Sequence, residues 1–301
     1  MIQSIALALL LGFELSYYLL IVQTGIAEHY NSDMITLLPL FIGGVSGTLL
    51  SGSNWGTLTN PMHKIYFALL LQLVLSFFYP DYNLFMLVLL GISVGLMAPL
   101  SIYLFKEHQR YELITALAIA YTVGTYAFTS LVDQRAPMAV GFSIVVLASA
   151  LLLRNYKVEE THEASRPYLA YIPLILWILL DSNLFETLSR HENLDIWSEQ
   201  TYTIIIFHLV GLLGAFFIKV EEKRQHLIIA LLFTGSYTLS YLEYTLALAI
   251  LYPFTISYYN VIVFITLTKE RSLQKLSYLM VFIGWIASGL GLALALSKIL
   301  H

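Results

Sequence analysis

Two carboxylates sit inside long apolar runs, Glu14 within Ile2 to Val22 and Asp181 within Tyr168 to Thr187. An ionisable group at hydrocarbon depth is costly, and where one is kept it marks an ion or substrate path by default. At about 1.5 Å of helix per residue, Glu14 stands ~18 Å and Asp181 ~20 Å from the starts of their runs, past the midplane of each. A carboxylate that exchanges a proton for a cationic solute is the simplest device for coupling a gradient to transport. The competing reading is packing, with each acid held by neighbouring Tyr, Ser or backbone groups.

Other polar residues could extend these two positions. Tyr17 lies three residues from Glu14 on the same helix face, where its ring and hydroxyl can shape a pocket for an organic or cationic solute. Ser182 and Asn183 continue the polar ground beside Asp181. His208, about seven residues into the run Thr201 to Ile218, carries an imidazole that can relay protons, although a lone histidine between helices is more often structural. Asn260 follows Pro253 and the Tyr258-Tyr259 pair, a combination that can open backbone groups towards a cavity. Glu243 falls at an outer turn and reads as solvated.

Other chemistries lack their residues. There is no cysteine, and the acid pairs Glu159-Glu160 and Glu221-Glu222 fall outside the apolar runs. Gly235-Ser236 has no histidine in a recognisable catalytic setting. Neither a His/Asp/Glu cluster at metal-ligand spacing nor a glycine-rich phosphate loop with lysine occurs. The sequence therefore predicts no enzyme, no metal and no cofactor.

The elements that must position these residues are membrane helices. Of 301 residues, 58% are hydrophobic and 11% charged, and mean hydropathy is +0.77, whereas a soluble domain carries roughly a quarter charged residues. A crossing needs roughly 20 mostly apolar residues. The predicted crossings are Ile2 to Val22, Ile35 to Leu58, Ile65 to Tyr79, Leu84 to Phe105, Leu113 to Val132 and Met138 to Leu153. After the polar stretch Arg154 to Arg166 come Tyr168 to Thr187, Thr201 to Ile218, Leu227 to Leu242, Thr245 to Thr268 and Leu276 to Ile299. The run Leu227 to Thr268 is too long for one crossing and is divided at Tyr241-Leu242-Glu243-Tyr244. The first run has no basic lead and contains Glu14, so it reads as a retained helix rather than a cleaved signal.

Charge gives an independent test, because Lys and Arg accumulate in cytoplasmic loops. With the N-terminus inside, twelve of them fall in cytoplasmic loops and only Arg135, Arg190 and Lys298 outside. The expected organisation is a six-helix half at 1–153, a cytoplasmic linker at 154–167 and a five-helix half at 168–301, in the cell inner membrane. The segment Ser189 to Gln200, with Arg190, His191, Glu192, Asp195 and Trp197, reads as a solvated outer loop, with a lid or a partner contact as the alternative. The lipid bilayer and a small-molecule or ion substrate are the expected partners, a monomer is the expected form, and the net charge of -4 offers nothing to nucleic acid.

Two turns look alike: Ile102 to His108, with Lys106-Glu107, and Phe264 to Arg271, with Lys269-Glu270, the lysines 163 residues apart. Each leaves a proline-containing helix and enters a glycine-containing one, the pattern of a six-helix duplication that keeps orientation. The turn Gly56-Thr57-Leu58-Thr59-Asn60-Pro61-Met62-His63-Lys64 resembles the major facilitator signature Gly-x-Leu-x-Asp-Arg-x-Gly-Arg-Lys. It keeps Gly56, Leu58 and a basic Lys64, but has Asn60 for the acid, Pro61 for the first arginine and His63 for the second glycine. A glycine-rich fourth helix (Gly91, Gly95, Pro99) leading into a fifth with Gly124 adds to the likeness. The resemblance implies an all-α, major-facilitator-like bundle lacking its twelfth helix. In such a bundle the first and seventh helices line the cavity, and Gly56, Asn60 and Lys64 form a gating loop. The drug/metabolite transporter fold, ten helices in two inverted halves, competes on length. The reading that follows is a proton- or cation-coupled secondary transporter working by alternating access. A non-transporting membrane assembly or structural protein is the alternative.

Overall fold

The computed structural model describes residues 2–30, 33–54, 59–105, 109–156, 166–190, 196–218 and 220–297. Among them are eleven long helices and no strand: α1 (Ile2–His29), α2 (Met34–Gly52), α3 (Pro61–Ser76), α4 (Leu84–Leu104), α5 (Arg110–Phe128), α6 (Val132–Leu152), α7 (Ile172–Arg190), α8 (Thr201–Phe217), α9 (Glu222–Tyr241), α10 (Thr245–Leu267), and α11, which runs through Leu273–Met280, Val281–Ala287 and Ser288–Ser297 without a break. Seven are long and apolar enough to cross a membrane, while α3 and α8 are apolar and shorter. The chain is an all-α, multi-pass membrane bundle.

Many large apolar side chains of the described helices are exposed. On α2 the exposed Ile35, Leu38, Ile42 and Leu49 recur at helical spacing, and on α3 so do Phe67, Leu70 and Val74. The opposite face of α2 buries Gly43, Gly44, Gly47, Thr48 and Ser51. Small and hydroxyl residues inside with large apolar residues outside is the arrangement of helices solvated by lipid, where packing and hydrogen bonds must do what the hydrophobic effect does in water.

Several helix starts follow local capping chemistry. Asp33 accepts from the Thr36 amide at 3.1 Å and Asn83 from the Met86 amide at 2.9 Å, so each first turn has an acceptor for its free N–H groups. Between α9 and α10 the chain reverses at the tetrapeptide where length alone required a break. The Tyr244 amide donates to the Leu239 carbonyl and the Glu243 amide to Ser240, each at 3.1 Å, closing α9 with paired C-terminal bonds. Glu243 takes the left-handed conformation there (φ 58°), a place that glycine usually fills.

Several helices depart from their expected ends: α6 opens at Val132 rather than Met138 and α9 at Glu222 rather than Leu227, and the first two differ at their C-terminal ends. α1 continues past Val22 to His29 through a π-helical stretch, Tyr18–Ile26. Wider turns leave carbonyls poorly paired, and the Thr24 hydroxyl lies 2.7 Å from Leu19 O and 2.9 Å from Leu20 O. α2 ends at Gly52, short of the expected Leu58. The seventh run opens with a 3-10 turn, Tyr168–Tyr171, before α7.

The chain forms two compact units, Met1–Ser165 with Ile265–Val281, and Arg166–Phe264 with Phe282–His301. In the first, α2 packs along α4, α1 against α5 and α6, α3 against α4 and α6, and the opening stretch of α11 against α2 and α4. A Cβ at Gly43 or Gly47 would overlap the Val88 or Ile92 carbonyl, and one at Gly91 or Gly95 would overlap Leu40 or Gly44. These two small-xxx-small stripes therefore set backbone directly on backbone. In the second unit, α7 packs against the closing stretch of α11 and against α9.

Candidate functional site

Each unit holds one of the two acids. In the first, α3 buries Ile65, Ala68, Leu69, Gln72, Leu75 and Ser76, a stripe at helical spacing that carries an amide and a hydroxyl into the interior. Gln72 Nε2 donates to Glu14 Oε1 at 2.7 Å. One turn on, the Tyr17 hydroxyl reaches the Gln72 carbonyl at 3.5 Å, and Ser76 Oγ lies 3.2 Å from the Tyr17 hydroxyl and 2.7 Å from that carbonyl. Glu14 is 6% exposed, and Tyr17, Gln72 and Ser76 are fully buried. Glu14 Oε2 and Gln72 Oε1 remain without a hydrogen-bond partner. Both are acceptors, so the group that would complete the pair is a donor or a cation: a proton, a water or a small positively charged solute.

In the second unit Asp181 is caged. Tyr252 donates to Oδ1 at 2.9 Å and Tyr259 to Oδ2 at 2.5 Å, both from α10. Aromatic neighbours fix these two rings. Tyr259 lies against Phe233 (centroids 5.4 Å apart), and Tyr252 lies edge-on to Trp197 (6.3 Å). Trp177 stacks on Phe233 and donates through Nε1 to His226 Nδ1 at 3.1 Å. Tyr237 bonds the Leu180 carbonyl and Asn183 Oδ1, each at 2.8 Å, while Asn183 Nδ2 reaches Gly291 O at 3.4 Å. The polar ground around Asp181 thus fastens α7 to α9, α10 and α11.

The remaining expected residues divide by what they touch. His208 Nδ1 is 2.7 Å from Ser257 Oγ, and the ring also interacts with the backbone of Pro253, the proline inside α10. Asn260 lies partly buried on α10, one residue past Tyr259. Ser236 Oγ is 3.2 Å from Thr255 Oγ1. Of the three residues expected in a gating loop, Gly56 lies outside the described residues. Asn60 caps α3, its Oδ1 accepting from the Met62 amide at 2.9 Å, with Pro61 at the first helical position. Lys64 is buried, and its Nζ donates to the carbonyls of Ser51 at 2.8 Å and Ser53 at 2.5 Å, the cationic end cap that the α2 C-terminus favours. Lys106, Glu107 and His108 of the repeat are outside the described residues. In its counterpart, Glu270 pairs with Lys275 at 2.7 Å and Arg271 Nη1 donates to Phe105 O at 3.1 Å, so Arg271 ties that turn to the exit of α4. In the outer segment, His191, Glu192 and Asp195 and the side chain of Arg190 lie outside the described residues. Ile196 and Trp197 form part of a single helical turn and are buried.

Three residues central to these sites escape a search for groups charged at neutral pH: Gln72, Tyr252 and Tyr259. The signals are present, since Gln72 interrupts the apolar Leu69 to Leu75, and Tyr252 and Tyr259 stand two helical turns apart on one face. No protein-family model matches the chain, and a search of curated proteins returns no match.

Proposed function

We propose that this chain is a secondary active transporter that moves a small solute across the cell inner membrane by alternating access, with a proton or cation gradient as the drive. The observation that carries the reading is the Glu14–Gln72 pair, a membrane-embedded carboxyl and amide that present two buried acceptor oxygens with no donor of their own. Such a group is expensive to keep in hydrocarbon unless it is used. The layout that resembles the major facilitator superfamily supports the same reading, with the N-terminus in the cytoplasm and eleven crossings. Glu14 and Tyr17 act as the ion or substrate site, and Asp181, Asn183, His208 and Asn260 serve as its candidate counterpart in the other half.

A second reading, a non-transporting membrane assembly protein, is favoured by two particular observations. Both Asp181 oxygens already have tyrosine donors, and Asn60 serves as a helix cap where the signature carries an acid.

The test is reconstitution into sealed proteoliposomes and a screen for solute-dependent proton or cation flux, with Glu14→Gln and Asp181→Asn beside the native chain. Flux that disappears in Glu14→Gln supports the transporter and its site. Flux untouched by either change removes the site assignment, and no flux for any solute class favours the assembly reading.

A further inference from the structure

The first unit carries a second polar group at one end. Arg135 on α6 is 4% exposed and pairs through Nη1 with Glu28 Oε2 at 2.6 Å, near the end of α1. The Glu28 side chain is 51% exposed, so the pair has one foot in solvent and one in the interior. The Tyr79 hydroxyl lies beside the guanidinium without a hydrogen bond of good geometry. Tyr79 and Tyr82, 7% and 5% exposed, face each other edge to ring at 6.3 Å. The Tyr82 hydroxyl is within electrostatic reach of Tyr17 and Tyr79, and Tyr17 leads through Ser76 and Gln72 to Glu14.

Along this run five buried polar atoms make no hydrogen bond of good geometry within the chain: Arg135 Nε, the hydroxyls of Tyr79 and Tyr82, Gln72 Oε1 and Glu14 Oε2. A folded protein rarely leaves such atoms bare, and where they gather the usual occupant is water, each molecule bonding to about three of them. The set holds donors as well as acceptors, which a chain of waters needs. From Glu14 to Glu28 is fourteen residues of α1, ~20 Å of helix, or about two thirds of the hydrocarbon thickness. The π-helical stretch Tyr18–Ile26 lies between them. Within it, Gly25 leaves the space that the Tyr79 hydroxyl occupies, since a Cβ there would come within 2.7 Å of that oxygen.

We propose that the first unit encloses a water-filled polar thread joining the exposed Glu28 to the buried Glu14, the route by which protons reach that carboxyl. The thread deepens the transport reading and rests on it only for its use; its water content can be tested without any transported solute. Hydroxyl radicals made by a synchrotron pulse on the full chain in lipid nanodiscs modify side chains that touch bound water, and mass spectrometry reads the sites. Tyr17 and Tyr252, both fully buried, form a matched pair in different surroundings.

The expected result is modification of Tyr17, Tyr79 and Tyr82 several-fold faster than Tyr252. Gly25→Leu, which fills the thread at Tyr79, should slow Tyr17 several-fold; should that variant misfold, Tyr79→Phe with Tyr82→Phe removes the waters' partners and should do the same. Tyr17 reacting no faster than Tyr252, or at a rate that the folded variants leave unchanged, overturns the thread. A reactive Tyr17 in a protein without solute flux sinks the transport reading and keeps the thread, whereas flux with an inert Tyr17 does the reverse.

Discussion

Glu14 and Asp181 are the same chemical group in two states of completion. Asp181 has a tyrosine donor on each oxygen, and those tyrosines are wedged by Phe233 and Trp197. Glu14 has one amide donor on one oxygen, beside a second acceptor that is also open. A carboxylate held on both oxygens is a fastener, since exchanging its partners would break two bonds at once. A carboxyl with an open oxygen can take and release a third party at little structural cost. The second helix of each pair decides which outcome results: α10 brings two hydroxyls to Asp181, and α3 brings a single amide to Glu14.

The largest effect that tests this contrast is on stability. Asp181→Ala removes the carboxylate to which two buried tyrosine hydroxyls donate and should cost about 2–4 kcal/mol, read as a lower unfolding midpoint in detergent, whereas Glu14→Ala takes the acceptor from one amide donor and should cost less than half as much. Equal losses would erase the distinction. Next in size, Tyr259→Phe should destabilise by about 1 kcal/mol, the scale of an interhelical hydrogen bond in a membrane protein. In a double-mutant cycle with Asp181→Ala most of that loss should vanish; additive losses would show that the tyrosine acts through packing alone. Smaller still, Glu14→Gln should change the midpoint by less than about 1 kcal/mol while removing coupled flux in proteoliposomes, the mark of a group used rather than needed for folding.

The smallest concerns pH, and it serves to subtract a surface term from both sites. The Thr36 hydroxyl and amide hold the Asp33 carboxyl below its usual range. Its lowered folded-state value means that the cap stabilises the protein above the unfolded carboxylate range and that this contribution fades as pH falls through the folded value. Asp33→Asn should flatten that acid-side loss in a melting series, and what acid sensitivity remains belongs to the other carboxyl groups. An unchanged acid limb would mean that the cap does not contribute.

Much of the fold was legible because hydrocarbon imposes a simple rule on composition. Apolar length located the helices, and the same rule divided Leu227 to Thr268 at Tyr241 to Tyr244, where α9 stops and α10 starts. It failed at helix ends, because apolarity marks where lipid is and not where backbone hydrogen bonding stops. The first expected crossing stops at Val22, yet α1 runs on through Gln23, Thr24 and Gly25 to His29. At the sites, the charged member of each cluster stood out and its neutral partners did not. Gln72, Tyr252 and Tyr259 carry no charge to advertise them, and which helix faces Glu14 or Asp181 is a matter of tertiary packing that one sequence leaves open. Lys64, which the resemblance puts in a gating loop, donates to the carbonyls that close α2, a tie between two helices that its charge alone does not reveal.

The glycine seam of α2 and α4 has a consequence for how the first unit can deform. Where peptide lies on peptide there are no rotamers to exchange and no slack to take up, so the two helices form a single stiff girder from Gly43 and Gly91 to Gly47 and Gly95. Any bending within that unit must be borne by its other members, and the loosened middle of α1, between the two acids of the thread, is the place where the backbone can yield.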